Sequence, residues 1–288
     1  MIDLYIAEWP LMGFVFACFA AFFGACVGSF LNVCIWRIPR DESVIAPRSH
    51  CPKCERLIPW YLNIPVLSWV ALGGKCRWCR TPISIRYLGV ELLTALLFVM
   101  VYLQYTQQPS LLEMVPLSHE ALIPIYWVFL AGLVCGTFVD FDHMIIPDSV
   151  TIGGMVVGPI FSVLVPAMHG ADVWYLGLKG SLIGGGVGFG LLYLVAVVGE
   201  KIFKKEAMGF GDVKLMGAVG AFLGWKAVLF TIVTASAAGS VAGLTLIALK
   251  KNELQGRIPF GPYLSLGAAV WLFWGERILG AYLKILSL

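Results

Sequence analysis

"EAMGFGDVKLMGAVGAFLGW", residues 206–225, carries an aspartate straight into an apolar stretch. Asp212 follows Gly209-Phe210-Gly211, and residues 213–224 read as membrane helix. Twelve residues make roughly 18 Å of helix. The hydrocarbon core of a bilayer is about 30 Å thick. If the far end of this helix reaches the opposite interface, Asp212 lies well below the near surface. Ionisable groups at that depth are costly and mark function by default. Irregular backbone there has to line protein or a wet cavity. Gly209 and Gly211 are read as allowing a tight turn and the close approach of another chain.

The rest of the chain fits a membrane setting. Of its 288 residues, 59% are hydrophobic and only 13% are charged. Soluble domains carry about 25% charged residues, so a soluble globular fold is excluded. The first apolar run is too long for a cleavable signal peptide and lacks a clear small-residue cleavage site. The expected fold is an all-α polytopic membrane protein with about eight transmembrane helices. The apolar segments fall near 11–36, 88–106, 122–140, 149–168, 175–199, 213–224, 227–249 and 262–285. The sixth and seventh form one run, split at Gly224-Trp225-Lys226 because an unbroken helix of that length would overshoot the bilayer.

Basic residues set the orientation. The loop 37–87 holds nine lysines and arginines against Asp41, Glu42 and Glu55. That loop is expected to be cytoplasmic. Alternation then puts 141–148, 200–212 and 250–261 on the same side, the last two with Lys201, Lys204, Lys205, Lys250, Lys251 and Arg257. Residues 107–121, with Glu113 and Glu120 and no basic residue, face outward, as do both termini. Three regions follow: a first helix over 1–36, an insert over 37–87, and a seven-helix domain over 88–288.

Within the insert, Cys51-Pro-Lys-Cys54 and Cys76-Arg-Trp-Cys79 form two Cys-x-x-Cys knuckles. Four thiolates at such spacing suit a tetrahedral zinc ion, with a disulfide pair as the rival reading. A reducing cytoplasm favours zinc. Four cysteines close the coordination sphere, so the metal is expected to fold the insert rather than to catalyse. Cys18, Cys26, Cys34 and Cys135 read as small apolar residues.

The third and fourth helices are joined by "VDFDHMIIPDSV", which places Asp140, Asp142, His143 and Asp148 at a membrane boundary on the same side as Asp212. Asp148 follows Pro147 and reads as a helix cap; Asp212 has the same reading open to it. Asp142 and His143 read as solvated loop residues. Asp140, the deepest of the set, is the expected partner of Asp212. Two such carboxylates share a proton, one activating water while the other donates to a scissile carbonyl.

The Gly-Phe-Gly-Asp stretch resembles the Gly-x-Gly-Asp motif of intramembrane-type aspartyl proteases. With "GSFLNVCIWRIPR" at 28–40, "NIPVLSWVALGGKCRWC", "RYLGVELLTALLF", "DFDHMIIPDSVT" and "IPFGPYL" in order, the chain resembles the type IV prepilin peptidases over nearly its whole length. That resemblance implies catalytic aspartates at Asp140 and Asp212 and zinc at Cys51, Cys54, Cys76 and Cys79. It implies removal of a basic leader from prepilins or type II secretion pseudopilins at the cytoplasmic face of the bacterial inner membrane. Methylation of the new N-terminal amine with S-adenosylmethionine then follows. The expected partners are those protein substrates and membrane lipid, with no nucleic acid.

The methyl-transfer site is less legible. "GGGVGFG" at 184–190 is glycine-rich but lies mid-helix, where close helix packing explains it. The cysteine insert and nearby acids are candidates for the pocket. Glu91 is one such acid, with an ion pair to Arg86 or Lys75 as its structural reading. Two other function classes stay open: a proton-coupled transporter using Asp140 and Asp212 as relay groups, and a non-catalytic zinc-bearing assembly scaffold.

Overall fold

Long runs of Leu, Val, Ala and Phe can bury their backbone polar groups in lipid only by forming helices, which satisfy every bond within the segment. The computed structural model describes residues 2–106, 120–204, 208–249 and 259–286, the side chains of 2–10 and 203 apart. Its helices are α1 (Ile2–Arg37), the short α2 (Leu67–Ala71), α3 (Ile85–Thr106), α4 (Leu122–His143), α5 (Asp148–Leu164), α6 (Trp174–Phe203), α7 (Phe210–Ala248), α8 (Gly261–Val270) and α9 (Glu276–Leu286). Among the described residues there is no strand, only the isolated bridges His50–Leu57 and Lys75–Pro82. Five segments are long and apolar enough to cross a membrane: Leu11–Arg40 within and just beyond α1, and the helices α3, α4, α6 and α7. Phe14, Phe19, Phe22, Leu96, Leu182 and Leu194 are exposed on them. Such a surface would drive aggregation in water but is the ordinary lipid-facing coat of a membrane helix.

The all-helical expectation holds, with changes in the element ends. The first helix, expected over 1–36, runs from Ile2 to Arg37, beyond the apolar segment 11–36 at its start. The fourth apolar segment stops at Leu164 because Val165 is extended ahead of Pro166, and a 3₁₀ turn over Pro166–His169 follows. A residue before proline is biased out of the helical region. Residues 107–119 of the expected outward loop 107–121 lie outside the described residues, as do the basic residues Lys205, Lys250, Lys251 and Arg257.

Two compact units divide the chain, Met1–Pro116 with Tyr126–Cys135, and Leu117–Ile125 with Gly136–Leu288. In the first, α1 packs on α3. A Cβ at Gly28 would lie 2.7 Å from Glu91 Cα, and one at Gly24 would lie 2.8 Å from Ala95 Cα, so only glycine permits this contact. Phe98 and Trp127 stack with ring centroids 4.8 Å apart, and Trp127 Nε1 donates to the Phe98 carbonyl at 3.0 Å.

In the second unit, α7 is the central element, packing on α5, α6 and α8. The expected split within it is real at the backbone level: Gly224 has φ 80° and ψ 173°, which interrupts the helix. Only glycine adopts such a conformation without steric cost. The arms 210–223 and 225–248 are then roughly 21 Å and 36 Å long. The interrupted ladder leaves the Ala221 carbonyl to side chains. Ser181 Oγ donates to it at 2.7 Å, and His169 Nε2 lies 3.2 Å away.

The glycine-rich run in α6 explains itself here. A Cβ on Gly184 would meet the Gly220 carbonyl oxygen at 2.1 Å, and one on Gly188 would meet the Met216 oxygen at 2.1 Å. This is backbone-to-backbone packing of the small-xxx-small type. Gly186 points into open space. Gly184→Leu is therefore expected to cost about 1–3 kcal/mol through overpacking. Gly186→Leu is expected to stay within about 0.5 kcal/mol of the parent. Thermal unfolding of the purified protein separates the two, and equal losses at both sites would refute this packing.

Candidate active site

Asp140 and Asp212 lie in one unit and, among its described residues, are the two buried acids, 5% and 8% exposed. Asp140 ends α4, where the left-handed residue Met144 returns its N–H to the Asp140 carbonyl at 2.9 Å. Asp212 lies in the first turn of α7, three positions after the N-cap Gly209. The N-cap position itself belongs to Gly209, not to Asp212. The cap reading of Asp212 therefore falls, and the carboxylate is left for other work. Asp140 is the charged neighbour that acts electrostatically on Asp212.

Three other residues shape the site. The Gly261 N–H, at the start of α8, donates to Asp140 Oδ2 at 3.1 Å. The first N–H groups of a helix have no partner within it, and a carboxylate there is also favoured by the helix dipole. A Cβ on Gly261 would stand 2.7 Å from Asp140 Oδ2 and 2.8 Å from Ile146 Cδ1. Ile146 is buried and also fills the space over Gly211, whose added Cβ would lie 3.4 Å from it. That is ordinary van der Waals distance, so this neighbour does not by itself demand a glycine at 211. The tight-turn expectation does not hold, because Gly209 is extended with φ −65° and Gly211 is helical.

Gly261 is the functional residue that residue-by-residue reading of the sequence passes over. Its signal was present: Gly-Pro at the start of an apolar run marks a helix N-terminus. What that N–H would bind is visible only in space.

The remaining boundary acids sort differently. Asp148 does not cap α5, whose N-cap is Pro147; it occupies the first turn and pairs with Lys214 Nζ. Lys214 also lies over the Phe210 ring, 5.2 Å from its centroid. Asp142 and His143 are exposed, but they belong to the last turn of α4 and not to a loop as expected.

In the other unit, the four insert cysteines come together. One sulfur from each of Cys51, Cys54, Cys76 and Cys79 lies within 4.8 Å of the others. Cys51 Sγ and Cys79 Sγ are 3.7 Å apart. The two knuckles share one backbone pattern. Cys51 N–H donates to Arg56 O and Glu55 N–H to Cys51 O; Cys76 N–H donates to Thr81 O and Arg80 N–H to Cys76 O. Glu55 and Arg80 take the same left-handed conformation. No sequence repeat announces this symmetry.

The electrostatics suit a cation. The Thr81 hydroxyl and N–H hold the Cys79 thiol down at about 6, and the Cys54 N–H lowers Cys51. Cys54 is pushed up to about 11, its bond from the Arg56 N–H outweighed by desolvation and by the three neighbouring sulfurs. Four thiolates this close need a cation to coexist, and thiolate is the form that binds metal.

Beside the cysteines is a cavity of about 480 Å³, lined by residues of the insert and of the facing ends of α1 and α3. Cys51 and Cys76 form part of its wall, and Glu91 another part. Glu91 takes a backbone partner in place of the expected arginine or lysine. Its Oε2 accepts the Val66 N–H at 2.7 Å.

Residues 22–105 match the family model of the bacterial peptidase A24 N-terminal domain, and residues 127–244 match the type IV leader peptidase family. A prepilin leader peptidase/N-methyltransferase of Myxococcus xanthus is 42% identical over 82% of this chain and 64% of its own length. One from Aeromonas salmonicida is 36% identical over 91% of this chain and 92% of its own. One from Stutzerimonas stutzeri is 32% identical over 99% and 98%. No solved structure matches the chain.

Asp148 is 62% exposed in its pair with Lys214. Exposed ion pairs contribute about 0.2–1 kcal/mol and weaken in salt. Asp148→Asn is expected to lower the unfolding free energy by less than about 1 kcal/mol, with a smaller loss at high salt. A salt-independent loss above about 2 kcal/mol in denaturant titration would contradict a solvated pair.

Proposed function

The chain belongs to the type IV leader peptidase family, and from that premise we propose that it cleaves the leader of type IV prepilins or type II secretion pseudopilins and then methylates the new N-terminus. The reaction is set at the cytoplasmic face of the bacterial inner membrane, with eight membrane crossings counted by taking the two arms of α7 separately. In this reading residues 1–36 anchor the insert 37–87, and residues 88–288 form the peptidase. Family membership leaves the transporter and scaffold readings without support.

One observation carries the proteolytic half: two buried aspartates, 72 positions apart in sequence, converge in one unit with a backbone N–H holding the first. Two facing carboxylates hold one proton between them. The ionised member takes a proton from water as the oxygen attacks the scissile carbonyl. The protonated member donates to the carbonyl oxygen and then serves collapse of the tetrahedral intermediate. The Gly261 N–H keeps Asp140 in register through this exchange. The substrate's apolar segment stays in lipid, so the cut falls at the boundary where these acids lie. Positioning is worth as much as the acids themselves, and a displacement of about 1 Å costs about 100-fold.

The four cysteines would hold zinc. A tetrahedron of 2.3 Å zinc–sulfur bonds sets sulfurs about 3.8 Å apart, close to the 3.7 Å between Cys51 and Cys79. With all four positions filled by protein, the ion supplies a cross-link to an insert with little core. S-adenosylmethionine supplies the methyl group. Transfer asks the protein only to hold a deprotonated amine in line with the sulfonium.

Cleavage of a purified prepilin is expected to fall at least about 100-fold in each of Asp140→Asn and Asp212→Asn. Retained cleavage in either rejects the pair. The kcat/KM profile against pH is expected to show two apparent pKa values belonging to the dyad. Gly261→Ala, which places a methyl group against Asp140, is expected to lose about 100-fold in kcat. A wild-type rate in that variant would remove Gly261 from the site. Elemental analysis is expected to find about one zinc per chain, lost in Cys51→Ser together with part of the thermal stability. A zinc-free wild type would end the metal assignment.

A further inference from the structure

The first arm of α7 carries Asp212 at one end and stops at Gly224 at the other. Peptide cleavage makes use of the first end alone. The far end nevertheless gathers a polar cluster from three separate elements.

Between its ends the arm lies against small residues. On the α5 side, a Cβ on Gly154 would stand 2.8 Å from Ala218 Cβ, and one on Gly158 2.9 Å from Ala221 Cβ. On the α6 side, Gly184 and Gly188 meet the carbonyls of Gly220 and Met216. Helices lock their axial register by seating ridges of side chains in grooves. Glycine and alanine let backbones come close but raise only low ridges, and lipid adds no hydrophobic drive between helices. Met155, which rests its sulfur over Gly217, is a long and flexible side chain. These faces fix how near the helices come. They fix less firmly how far the arm slides along its neighbours.

Polar bonds at the two ends therefore carry the axial position. Near Asp212, Lys214 pairs with Asp148 at the start of α5, but Asp148 is exposed and such pairs are weak. The far end is tied more firmly. Ser181 Oγ, on α6 and fully buried, donates to the Ala221 carbonyl at 2.7 Å. His169 Nε2, on the turn that follows α5, lies 3.2 Å from the same oxygen. A carbonyl only accepts, so this contact assigns the imidazole proton to Nε2. One acceptor on α7 thus binds donors from both neighbouring elements.

The imidazole has a prepared seat. A Cβ on Gly180 would fall 2.9 Å from both His169 Cβ and Cγ, so the ring enters a notch that a larger residue would close. The ring also stands beside the break, its Nδ1 3.6 Å from where a Cβ on Gly224 would be.

We propose that His169 and Ser181 are positioning residues for proteolysis: by anchoring the Ala221 carbonyl they set the axial position of the first arm, and with it the place of Asp212 beside Asp140. Asp212 is nine positions from Ala221, roughly 14 Å along the arm. A short helix moves as a rigid element, so a slide at one end reaches the other. Asp140 does not follow, because the Gly261 N–H holds it from a different helix. Loss of the anchor therefore changes the separation of the two acids. The inference rests on the peptidase reading given above and adds two residues that act on the dyad without touching it.

The test measures cleavage of a purified prepilin by the full-length protein in detergent, with Asp212→Asn as the inactive reference. A displacement of about 1 Å costs about 100-fold. In Ser181→Ala/His169→Ala, kcat per folded molecule is expected to fall at least about 10-fold, with KM changed less than about threefold. The two apparent pKa values of the dyad are expected to draw together, since their spacing reports how closely the carboxylates interact. In Ser181→Ala/His169→Gln, whose amide nitrogen reaches about as far as Nε2, most of the lost rate is expected to return. Thermal unfolding of each variant supplies the folded fraction. If the doubly substituted protein does not fold, the single variants Ser181→Ala and His169→Ala carry the same comparison. A variant that melts lower yet keeps the wild-type kcat and pH profile has lost a clamp that only stabilises, and overturns the inference. So does a glutamine variant as slow as the alanine one. Wild-type cleavage beside an unimpaired double variant defeats the inference alone. Wild-type protein that leaves the prepilin uncut defeats the peptidase reading, and the inference falls with it.

Discussion

The Asp140 carboxylate accepts the Gly261 N–H across 121 positions of sequence, and the geometry of the candidate site depends on that bond. A carboxylate buried at 5% exposure has to be held by donors or by its proton. The start of α8 provides such a donor, because the first N–H groups of a helix are unpaired within it. The same short segment admits no side chain at 261, so backbone and carboxylate meet directly. Ile146 then closes the space over Gly211, on the turn that leads to Asp212. Helix ends, rather than helix faces, make the site.

That arrangement explains the irregularities around it. Gly224 breaks α7 so that its first arm is short, and the freed Ala221 carbonyl is taken by Ser181 and approached by His169. Gly184 and Gly188 bring α6 into backbone contact with that arm. A short helix tied along its length keeps its N-terminal turn, with Asp212, from drifting in a lipid environment that supplies no hydrophobic drive to packing.

The other unit solves a different problem. Its insert leaves Ile45, Leu57, Trp60, Leu67 and Val70 exposed, and four sulfurs within 4.8 Å of one another do the work of a core. The paired knuckles, with left-handed residues at Glu55 and Arg80, present the thiols inward. Their lowered and raised thiol affinities for protons describe a cluster that calls for positive charge.

The sequence by itself determined the membrane class, the helical content, the break at Gly224, the four-cysteine set and the two boundary acids that become buried. Each of these is a matter of local composition or spacing: apolar runs of a given length, a glycine beside a basic residue, two Cys-x-x-Cys pairs, an aspartate abutting an apolar run. Tertiary structure alone decided what those groups touch. Asp148 reads as a cap from its neighbour Pro147, yet Lys214, 66 positions away, pairs with it. Glu91 reads as a partner for nearby basic residues, yet it holds the backbone of Val66. Gly261 reads as punctuation, yet its N–H orients Asp140. The physical reason is common to all three. A periodicity or a spacing is set by bonded neighbours, whereas a hydrogen bond to a backbone group has no residue-type signature at the accepting or donating end. Every residue but proline carries the same N–H, and only the fold says which one arrives.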